Sequence, residues 1–550
     1  MPTHKVNLDA LIQRQDFEKG VVSTVLGETP LFKLDELESR KTFFRLLRKP
    51  DFQRTTNNWS PEMIVEFVRT FLDKELIPAL IIWHSQQSEK IYLIDGAHRL
   101  SALIAWVNDD YGDGAISKQF FKDGITDMQR RLHNQTRDLV AKEIGSYADL
   151  QLKAANNPGD EVDVAVRRGR VITTNSPPLQ RVPGDAATAE KAFLRINGSP
   201  AIIDPTEFDI IKARRKPNAI ATRALMQSGE GYQYWARFAA NAKRISTLAS
   251  ETYDLLFGEI VEIGTQSPDV PRGGQPYSAE AFKMVLDMVN IFNNITPSMW
   301  QESKRKGKGT KTPQVADDLD GSATLEFLQR VKDVARFTFD PSRTGSLGLD
   351  PAVYCYGPEK LYTAAYLASL KFAMELKDRD RLLRFTSLRK DFEDFLVCHK
   401  SFIKDLSHGK GSRTRPLESL LTLYRTIMEC IESGRGAHEQ ILAALRGVPI
   451  LKTSLKFPDD TLSNETQPTR ARKSFPKSVQ QAKVIQTTLE NRERCKECGA
   501  RLAPFSRSKD HITPKDEGGQ GVLENLQFTH PYCNSGYKEA KRAQAKKGTI

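Results

Sequence analysis

The sequence is poor in cysteine and lacks both a long apolar run and an apolar leader, and each absence excludes a class of protein. Its 550 residues include six cysteines, which is too few for a disulfide framework in a chain of this length. No apolar run reaches the length needed to cross a membrane. The N-terminus, MPTHKVNLDALIQRQDFEKG, carries early acidic residues and no signal-peptide core. We therefore expect a cytoplasmic protein with no membrane partner.

Positive charge is what the sequence has in excess. The formal net charge is +12 and the sequence pI is about 9.2. This balance suits a polyanionic partner such as a nucleic acid, although it says nothing about the fold. A hydrophobic fraction of 39% is enough for packed cores. The length predicts roughly three domains.

The secondary-structure signals are clearest between residues 60 and 107. Ser60 followed by Pro61 is typical of a helix start, and apolar residues then recur at helical spacing. Two strand-like runs follow, ALIIW and KIYLI. The second run ends at Asp95-Gly96, where a second helix begins. Such a junction can bind phosphate through the helix N-terminus and Arg99, but most are only turns.

Further along, the patterns divide the chain into segments. Alternation around Val162, Val164 and Val166, followed by Pro and Gly, predicts a hairpin with a loop. Residues 220–448 are predicted to be mostly helical, with Gly434 ending the helix RPLESLLTLYRTIMECIESG. The basic segment SKRKGKGTKTPQ, which begins at Ser303, is predicted to be a solvated loop. Residues 456–485 have the polar, proline-containing composition of a linker.

Four metal-ligand residues near the C-terminus have the spacing of a zinc site. Cys495-x-x-Cys498 and His530-x-x-Cys533 supply thiolate and imidazole ligands for tetrahedral zinc. A segment this short has little core, so a metal would stabilise it. A plain zinc finger explains these ligands equally well. However, the intervening DHITP, Gly-Gly and Asn-Leu suit phosphodiester hydrolysis, which needs a base and a divalent cation.

This C-terminal stretch resembles the zinc-stapled HNH nucleases, whose pattern is C-x-x-C, D-H-I-x-P, G-G, N-L and C-x-x-C-N. The resemblance implies a ββα-metal fold in which His511 is the general base and Asn525 orients the histidine loop. Asp510 and Asn534 would bind a catalytic Mg²⁺ or Mn²⁺. Structural zinc would be held by Cys495, Cys498, His530 and Cys533. This branch usually has cysteine where His530 stands, and a competing assignment puts His530 at the catalytic metal.

The first 210 residues carry a second resemblance. FQRTTNNW, IDGAHRLSAL and AEKAFLRIN resemble the N-terminal domain of the GmrSD-type restriction nucleases, in the ParB/sulfiredoxin-like superfamily. Its signature is Q-R…W, D-G-Q-Q-R and F-x-R-x-N, and its members bind or hydrolyse nucleoside triphosphates to control a nuclease. Here Ala97 and His98 replace the two glutamines, and an insertion precedes F-x-R-x-N. The implied nucleotide-binding residues are Arg54, Asp95, Gly96, His98, Arg99, Arg195 and Asn197.

Together these features predict a multidomain α+β protein. It would comprise a ParB/sulfiredoxin-like NTP-binding or sensor domain (1–215), a helical domain (216–455), a linker (456–485) and an HNH nuclease domain (486–550). Trp59 and Phe193, which belong to the N-terminal signature, are expected to pack in the core.

The predicted function is a metal-dependent DNA endonuclease of a prokaryotic restriction or anti-phage type. The N-terminal domain would gate cleavage of phage or modified DNA, and the basic tail from Lys538 would contact DNA phosphates. One HNH site per chain would nick DNA, and double-strand cleavage would need a homodimer or two events. Two other classes fit the same patterns: a ParB-like DNA-binding regulator with a structural zinc module, and an RNA-directed nuclease.

Overall fold

The computed structural model falls into two compact units, one built on a sheet and one mainly helical. The first comprises Met1–Ser246, Pro271–Phe282 and Pro297–Ser322, and the second comprises Thr247–Val270, Lys283–Thr296 and Ala323–Ile550. The domain borders inferred from sequence remain predictions. The residues that the structure describes are 5–15, 17, 33–50, 53, 55–85, 87–121, 125, 127–157, 159, 162–197, 205–262, 279–300, 303–305, 308–311, 314–340, 342–407, 415–458 and 474–547.

The first unit is built on a five-stranded mixed sheet with the order β1-β2-β4-β3-β5. Strands β1, β2 and β4 are parallel neighbours, whereas β3 is antiparallel to β4 and parallel to β5. The two predicted strands ALIIW and KIYLI are confirmed as neighbouring β3 and β4. The strands are β1 (Arg14–Gln15), β2 (Leu47–Pro50), β3 (Leu80–His84), β4 (Ile91–Asp95) and β5 (Leu179–Arg181).

Helices cover both faces of this sheet, which explains why KIYLI is apolar at successive positions. Leu93 of β4 packs in one core cluster with residues of α2 and α3, and Tyr92 packs in another with Phe193 of α8. Phe193 is therefore a core residue, as predicted. The helices are α1 (Thr42–Leu46), α2 (Pro61–Leu72), α3 (Ala97–Asn108), α4 (Ala115–Phe121), α5 (Asp127–Glu143), α6 (Tyr147–Asn156), α7 (Val164–Thr174), α8 (Ala186–Asn197), α9 (Pro205–Lys212) and α10 (Pro217–Met226).

The hairpin predicted around residue 164 is wrong, because α7 begins there. The side chain of Asp163 caps the helix by accepting a hydrogen bond from the Ala165 amide at 2.6 Å. The alternating Val162 and Val164 are exposed, and the buried face appears only from Val166 onward. The alternating valines therefore belong to a solvent-facing helix start, where residues two apart do not share a face.

The basic segment that begins at Ser303 also differs from its prediction as a loop. It contains two short antiparallel strands, β6 (Ser303–Arg305) and β7 (Lys308–Lys311). Ser303 pairs with Lys311 through the main chain. This pairing does not require alternating apolar side chains, so the sequence pattern gave no strand signal.

The rest of the chain is mainly helical, as predicted for residues 220–448. Gly434 follows α19 with a φ of +76°, which suits a glycine helix stop. Helix α22 occupies part of the segment predicted as a linker. None of the helices in the described part of the chain is long and apolar enough to cross a membrane. The helices are α11 (Ala239–Glu262), α12 (Ala279–Phe292), α13 (Pro297–Trp300), α14 (Ser322–Phe339), α15 (Pro351–Tyr354), α16 (Thr363–Asp378), α17 (Leu382–Cys398), α18 (Ser401–Ser407), α19 (Arg415–Glu432), α20 (His438–Gly447), α21 (Pro449–Lys452), α22 (Lys477–Glu490) and α23 (Lys538–Lys547).

The C-terminal segment forms a hairpin followed by a helix. Strands β8 (Ser508–His511) and β9 (Leu526–Thr529) are antiparallel. A π-helical turn, Cys533–Tyr537, leads directly into α23. The predicted ββα arrangement is confirmed, and π-turns of this kind occur frequently at functional sites.

Candidate active site and metal centre

Four side chains from two separate turns meet at the base of the ββα motif. The ligand atoms of Cys495, Cys498, His530 and Cys533 all lie within 4.8 Å of one another. Three of the four residues are buried and Cys498 is partly buried. A cluster of three thiols and one imidazole fits structural zinc. The structure therefore places His530 with the cysteines rather than at the catalytic position.

The orientation of His530 is fixed by a main-chain contact. Its Nε2 lies 3.0 Å from the carbonyl oxygen of Arg501, which assigns the proton to Nε2. Nδ1 then faces the Sγ atoms of Cys498 and Cys533, at 3.4 and 3.7 Å. Metal-binding histidines characteristically donate their other ring N–H to such an acceptor. This arrangement makes Nδ1 the ligand atom.

The three thiols also influence one another's ionisation. Hydrogen bonds from Cys498 and Cys533 lower the pKa of Cys495. The contact with Cys495 raises the pKa of Cys498, and contacts with Cys495 and Cys498 raise that of Cys533. Three adjacent thiolates repel one another unless a cation neutralises them. The donor set is therefore suited to a divalent metal.

The zinc cluster is supported by helix α17 of the same unit. Arg389 is fully buried and donates to the carbonyls of Leu347 and Gly348, at 2.7 and 3.1 Å. Burial acts to lower the pKa of Arg389, but Glu393 and the Cys498 and Cys533 thiols raise it on balance. The guanidinium thus stays charged beside the cysteine cluster.

Ion pairs extend this support to both sides of the cluster. Arg501 and Arg494 both pair with Asp394, at 2.6 and 2.9 Å. Arg492 pairs with the buried Asp350 at 2.8 Å. Because several of these groups are desolvated, removing one partner leaves a buried charge uncompensated. The C-terminal motif is thus attached to the helical part of the second unit by ion pairs as well as by the chain itself.

Strand β8 carries the two residues predicted to perform the chemistry. Asp510 is 6% exposed, and its Oδ2 accepts a hydrogen bond from Gln527 Nε2 at 2.7 Å. His511 is partly exposed, and its imidazole has no hydrogen bond to any residue that the structure describes. A histidine in that state is free to accept a proton from water.

The loop after His511 is tied together by Asn525. Its Oδ1 accepts from the Thr513 amide at 2.7 Å, while its Nδ2 donates to the carbonyls of Thr513 and Gln520. Gly519 packs so closely on this loop that a Cβ would lie 1.8 Å from the Thr513 oxygen. These contacts fix the backbone that follows the histidine.

Asn534 and Lys538 approach β8 from the helical side. Asn534 Nδ2 donates to Ser508 Oγ and to the Lys509 carbonyl, at 3.0 and 3.1 Å. Its Oδ1 has no hydrogen bond within the described part of the chain. Lys538 Nζ lies 3.0 Å from both carboxylate oxygens of Asp510 and also donates to the His511 carbonyl. The sequence indicated Lys538 only as the start of the DNA-contacting tail and did not predict its pairing with Asp510, although it follows Asn534 by about one helical turn.

The basic tail makes ion pairs within the motif. Lys541 lies 3.5 Å from Glu497, and Arg542 pairs with Asp516 and Glu517. These pairs are partly exposed, so they are weak and can exchange for another anion. Contact between this tail and DNA phosphates remains a prediction.

The N-terminal signature residues form a closed arrangement. Gly96 begins α3 with a φ of +96°, and a Cβ there would lie 2.5 Å from Leu80 Cδ2. Arg99 pairs with Asp95 at 2.6 Å and donates to the carbonyls of Pro78 and Ala79. The guanidinium is thus engaged by internal acceptors, and it holds the turn together.

The other N-terminal signature residues are spread over neighbouring elements. The His98 ring stacks against Trp59, with centroids 5.8 Å apart and an interplanar angle of 28°. Arg195 is exposed on α8, and Asn197 is the last residue of that helix. Arg54 lies outside the described residues. Within the predicted set, the structure shows a direct side-chain contact between Asp95 and Arg99.

A buried ionic network beside the Q-R…W segment was not predicted. Asp9 pairs with Arg14 at 2.8 Å and with Lys49 at 2.7 Å, and all three are buried. Burial acts to raise the pKa of Asp9, but Arg14 and Lys49 hold it well below its usual range. Burial lowers the pKa of Lys49 to about 8, against the opposing effect of Asp9. Lys49 lies 40 residues from Asp9 in sequence, so no local pattern reveals the network.

Comparison with known protein families gives two matches in the same order as the two sites. Residues 34–197 match the family model of the GmrSD restriction endonuclease, N-terminal domain. Residues 495–539 match the family model of the HNH endonuclease. No curated protein and no solved structure gives a significant match. The combination matches a GmrSD-like restriction nuclease and supports a restriction-type endonuclease whose substrate is DNA.

Proposed function

Starting from a chain that joins a GmrSD-type N-terminal domain to an HNH endonuclease domain, we propose a metal-dependent DNA endonuclease gated by its N-terminal domain. The observation that carries the proposal is the His511 imidazole, which has no hydrogen bond to the described residues and follows Asp510 on a strand anchored to a zinc cluster. A regulator with a merely structural zinc module would not need this free base. The role is restriction of phage or modified DNA.

The chemistry follows from the side chains around β8. His511 takes a proton from a water molecule, whose oxygen then attacks the phosphorus of the phosphodiester. The bond from phosphorus to the 3′ oxygen breaks, which leaves a 5′-phosphate and a 3′-hydroxyl. Asn525 holds the loop that follows the base, so the imidazole is positioned before DNA arrives.

A catalytic cation fits the oxygen donors at this site. The Asp510 carboxylate and the Asn534 Oδ1 are ligand types that Mg²⁺ and Mn²⁺ prefer. When bound, the cation would stabilise the charge that develops on the phosphate and on the leaving oxygen. Lys538 already pairs with Asp510, so a cation ligated there has to share the carboxylate with the lysine or displace it.

The N-terminal domain supplies the proposed control. Its nucleotide-binding residues would be Arg54, Asp95, Gly96, His98, Arg99, Arg195 and Asn197. Because Arg99 is held by Asp95 and two carbonyls, it would have to exchange these acceptors for a phosphate. Nucleotide binding or hydrolysis at this position would therefore be linked to a local rearrangement at the start of α3, and this change would carry the signal.

The test is cleavage of a supercoiled plasmid with Mg²⁺ or Mn²⁺, with and without added nucleoside triphosphate. We expect the wild type to nick or linearise the plasmid, and His511→Ala to lose at least about a hundredfold in rate, as expected for removal of a general base. His438→Ala, outside the motif, is the matched control and should cleave like the wild type. Both modified and unmodified plasmids are used.

Each other outcome has a definite meaning. Cleavage that persists unchanged in His511→Ala would refute the assignment of the base. A zinc-loaded wild type that binds DNA and cleaves neither plasmid would favour the DNA-binding regulator. Cleavage of structured RNA alone would favour the RNA-directed nuclease. Cleavage insensitive to every nucleoside triphosphate would remove the gating proposal and leave the endonuclease intact.

A further inference from the structure

A second cationic position in the first unit has the properties of an anion site. Arg223 of α10 is only 7% exposed, and its Nη1 is buried without a hydrogen-bond partner. No carboxylate that the structure describes forms an ion pair with it. A buried guanidinium in this state is costly, and buried cations are almost always paired with an anion. The missing anion is therefore best supplied by a ligand.

An aromatic ring covers this guanidinium. The Arg223 Cζ lies 4.0 Å from the centroid of the Tyr234 ring, a close cation–π contact. Tyr232 meets Tyr234 edge to face, with centroids 4.7 Å apart. Both tyrosines are partly exposed. The two tyrosines are therefore in contact with solvent, whereas Arg223 is buried.

The same tyrosine pair faces a second arginine. Arg14 Cζ lies 5.9 and 6.0 Å from the ring centroids of Tyr232 and Tyr234, so two guanidinium groups lie close to the pair. Asp9, which pairs with Arg14, is shared with Lys49. Arg223 adds a further positive charge beside the same tyrosine pair. Local electrostatics therefore favour an incoming anion.

A hydrogen-bond acceptor lies next to this group. Arg14 donates to the Gln53 carbonyl, while the side-chain Oε1 of Gln53 is buried without a partner. A bare phosphate has few donors to offer that oxygen, whereas a nucleotide also carries N–H and O–H groups. The unpartnered acceptor and the unpartnered guanidinium together match a ligand that has both an anion and a donor.

We propose that Arg223, with Tyr232, Tyr234 and Gln53, binds a nucleotide through its phosphate. Arg223 and the two tyrosines lie beyond residues 34–197, which match the GmrSD N-terminal domain. The inference rests on the nucleotide-dependent control proposed above, but it places a nucleotide at a position separate from the signature residues named there. Unlike Arg99, Arg223 can contact a phosphate without giving up an internal acceptor.

The experiment measures binding of ATP, GTP and inorganic phosphate to the full chain, by calorimetry and by thermal melting without divalent cation. We expect a nucleotide to stabilise the wild type, and Arg223→Met to weaken its binding at least tenfold. Without ligand, Arg223→Met should melt at the same temperature as the wild type or higher, because a buried unpaired charge has been removed. Arg237→Met is the matched control, since Arg237 also stacks on a ring, Phe238, but is exposed.

The outcomes separate a ligand site from a structural role. An unliganded Arg223→Met that melts well below the wild type, with nucleotide affinity unchanged, would overturn the proposal. Arg223→Lys, which keeps the charge and loses the forked donor, provides a second variant and should bind nucleotide with intermediate affinity. Phosphate binding as tight as nucleotide binding would overturn the role of Gln53. Wild type that binds none of the three probes, yet nicks plasmid through His511, would refute this site and leave the nuclease assignment standing.

Discussion

The two signature-bearing sites of this chain use their charged side chains in opposite ways. At the C-terminal site, the His511 imidazole has no hydrogen bond to any described residue, which leaves it available for the proposed role as a base. At the N-terminal site, Arg99 is held by Asp95 and by two backbone carbonyls. The difference shows that a recognisable motif is not by itself an available site. What matters is whether its polar groups are already satisfied by the protein.

The two sites also differ in what holds them together. The C-terminal motif has a small apolar cluster that includes Cys495, Leu502 and Cys533, so we expect its fold to depend on a metal. The N-terminal motif lies on a sheet with apolar cores on both faces. Perturbing the metal should therefore affect one site strongly and leave the other intact.

The largest expected effect comes from removing a zinc ligand. Cys498→Ser should unfold residues 495–537 and abolish cleavage, because zinc binding in small modules supplies on the order of 10 kcal/mol. The first unit should remain folded. Zinc content and hydrogen exchange resolved by region would measure both expectations. The control is Cys398→Ser, at an exposed cysteine outside the cluster. Full zinc content in Cys498→Ser would contradict the ligand assignment.

A glycine substitution tests how tightly the N-terminal turn is built. Gly96→Ala forces a side chain into the left-handed region and against Leu80, so we expect a loss of about 2–4 kcal/mol in unfolding free energy. Gly434 has a similar φ but open space around it, and Gly434→Ala should cost only about 1 kcal/mol. Urea denaturation measures both. Equal costs at the two positions would show that the Leu80 contact is unimportant.

The lysine at the nuclease centre gives an effect of intermediate size. Lys538→Met frees the Asp510 carboxylate and should raise affinity for Mn²⁺ about tenfold, or about 1.4 kcal/mol. Mn²⁺ binding is measured directly by electron paramagnetic resonance, without DNA. Lys541→Met removes a more exposed ion pair and should leave the affinity unchanged. Weaker Mn²⁺ binding in Lys538→Met would show that the lysine supports the cation rather than competing with it.

The smallest expected effect is a pH dependence confined to the first unit. Burial lowers the pKa of His133 to about 4, against the opposing effects of Asp113 and Asp110, while Arg137 adds to the lowering. The pKa of a histidine in the unfolded chain is near 6.5. At pH values between this pKa and the lower folded pKa, the unfolded chain binds a proton that the folded chain does not. Stability is therefore lost as pH falls through this range.

Replacing His133 measures how much of the stability lost at low pH is due to this side chain. His133→Gln should reduce the fall in unfolding free energy between pH 6 and pH 5 by about 1 kcal/mol, within the limit of 1.4 kcal/mol per pH unit. Denaturation at the two pH values measures it. His84→Gln, at the exposed end of β3, should leave the slope unchanged. The same slope in His133→Gln would assign the acid sensitivity to other groups.

The sequence by itself determined the features that depend on short-range spacing. The C-x-x-C and H-x-x-C turns, the ββα motif and helices α2 and α3 all follow from patterns within a few turns or strands of chain. Such patterns set which residues share a face or a metal before any long-range packing occurs. The alternation near residue 164 shows the limit of this reasoning, because a helix cap at Asp163 decided the structure there.

The tertiary structure alone decided which of the polar side chains in these motifs already have partners within the protein. It placed His530 with the three cysteines, paired Lys538 with Asp510, and set Asp394 of α17 beneath the zinc turn. It also gave the Arg99 guanidinium internal acceptors, while it left the buried Nη1 of Arg223 without a hydrogen-bond partner. These contacts join residues that are distant in sequence or depend on a particular side-chain direction. Local periodicity carries no information about them, since their energies arise only when folding brings the groups together and removes water.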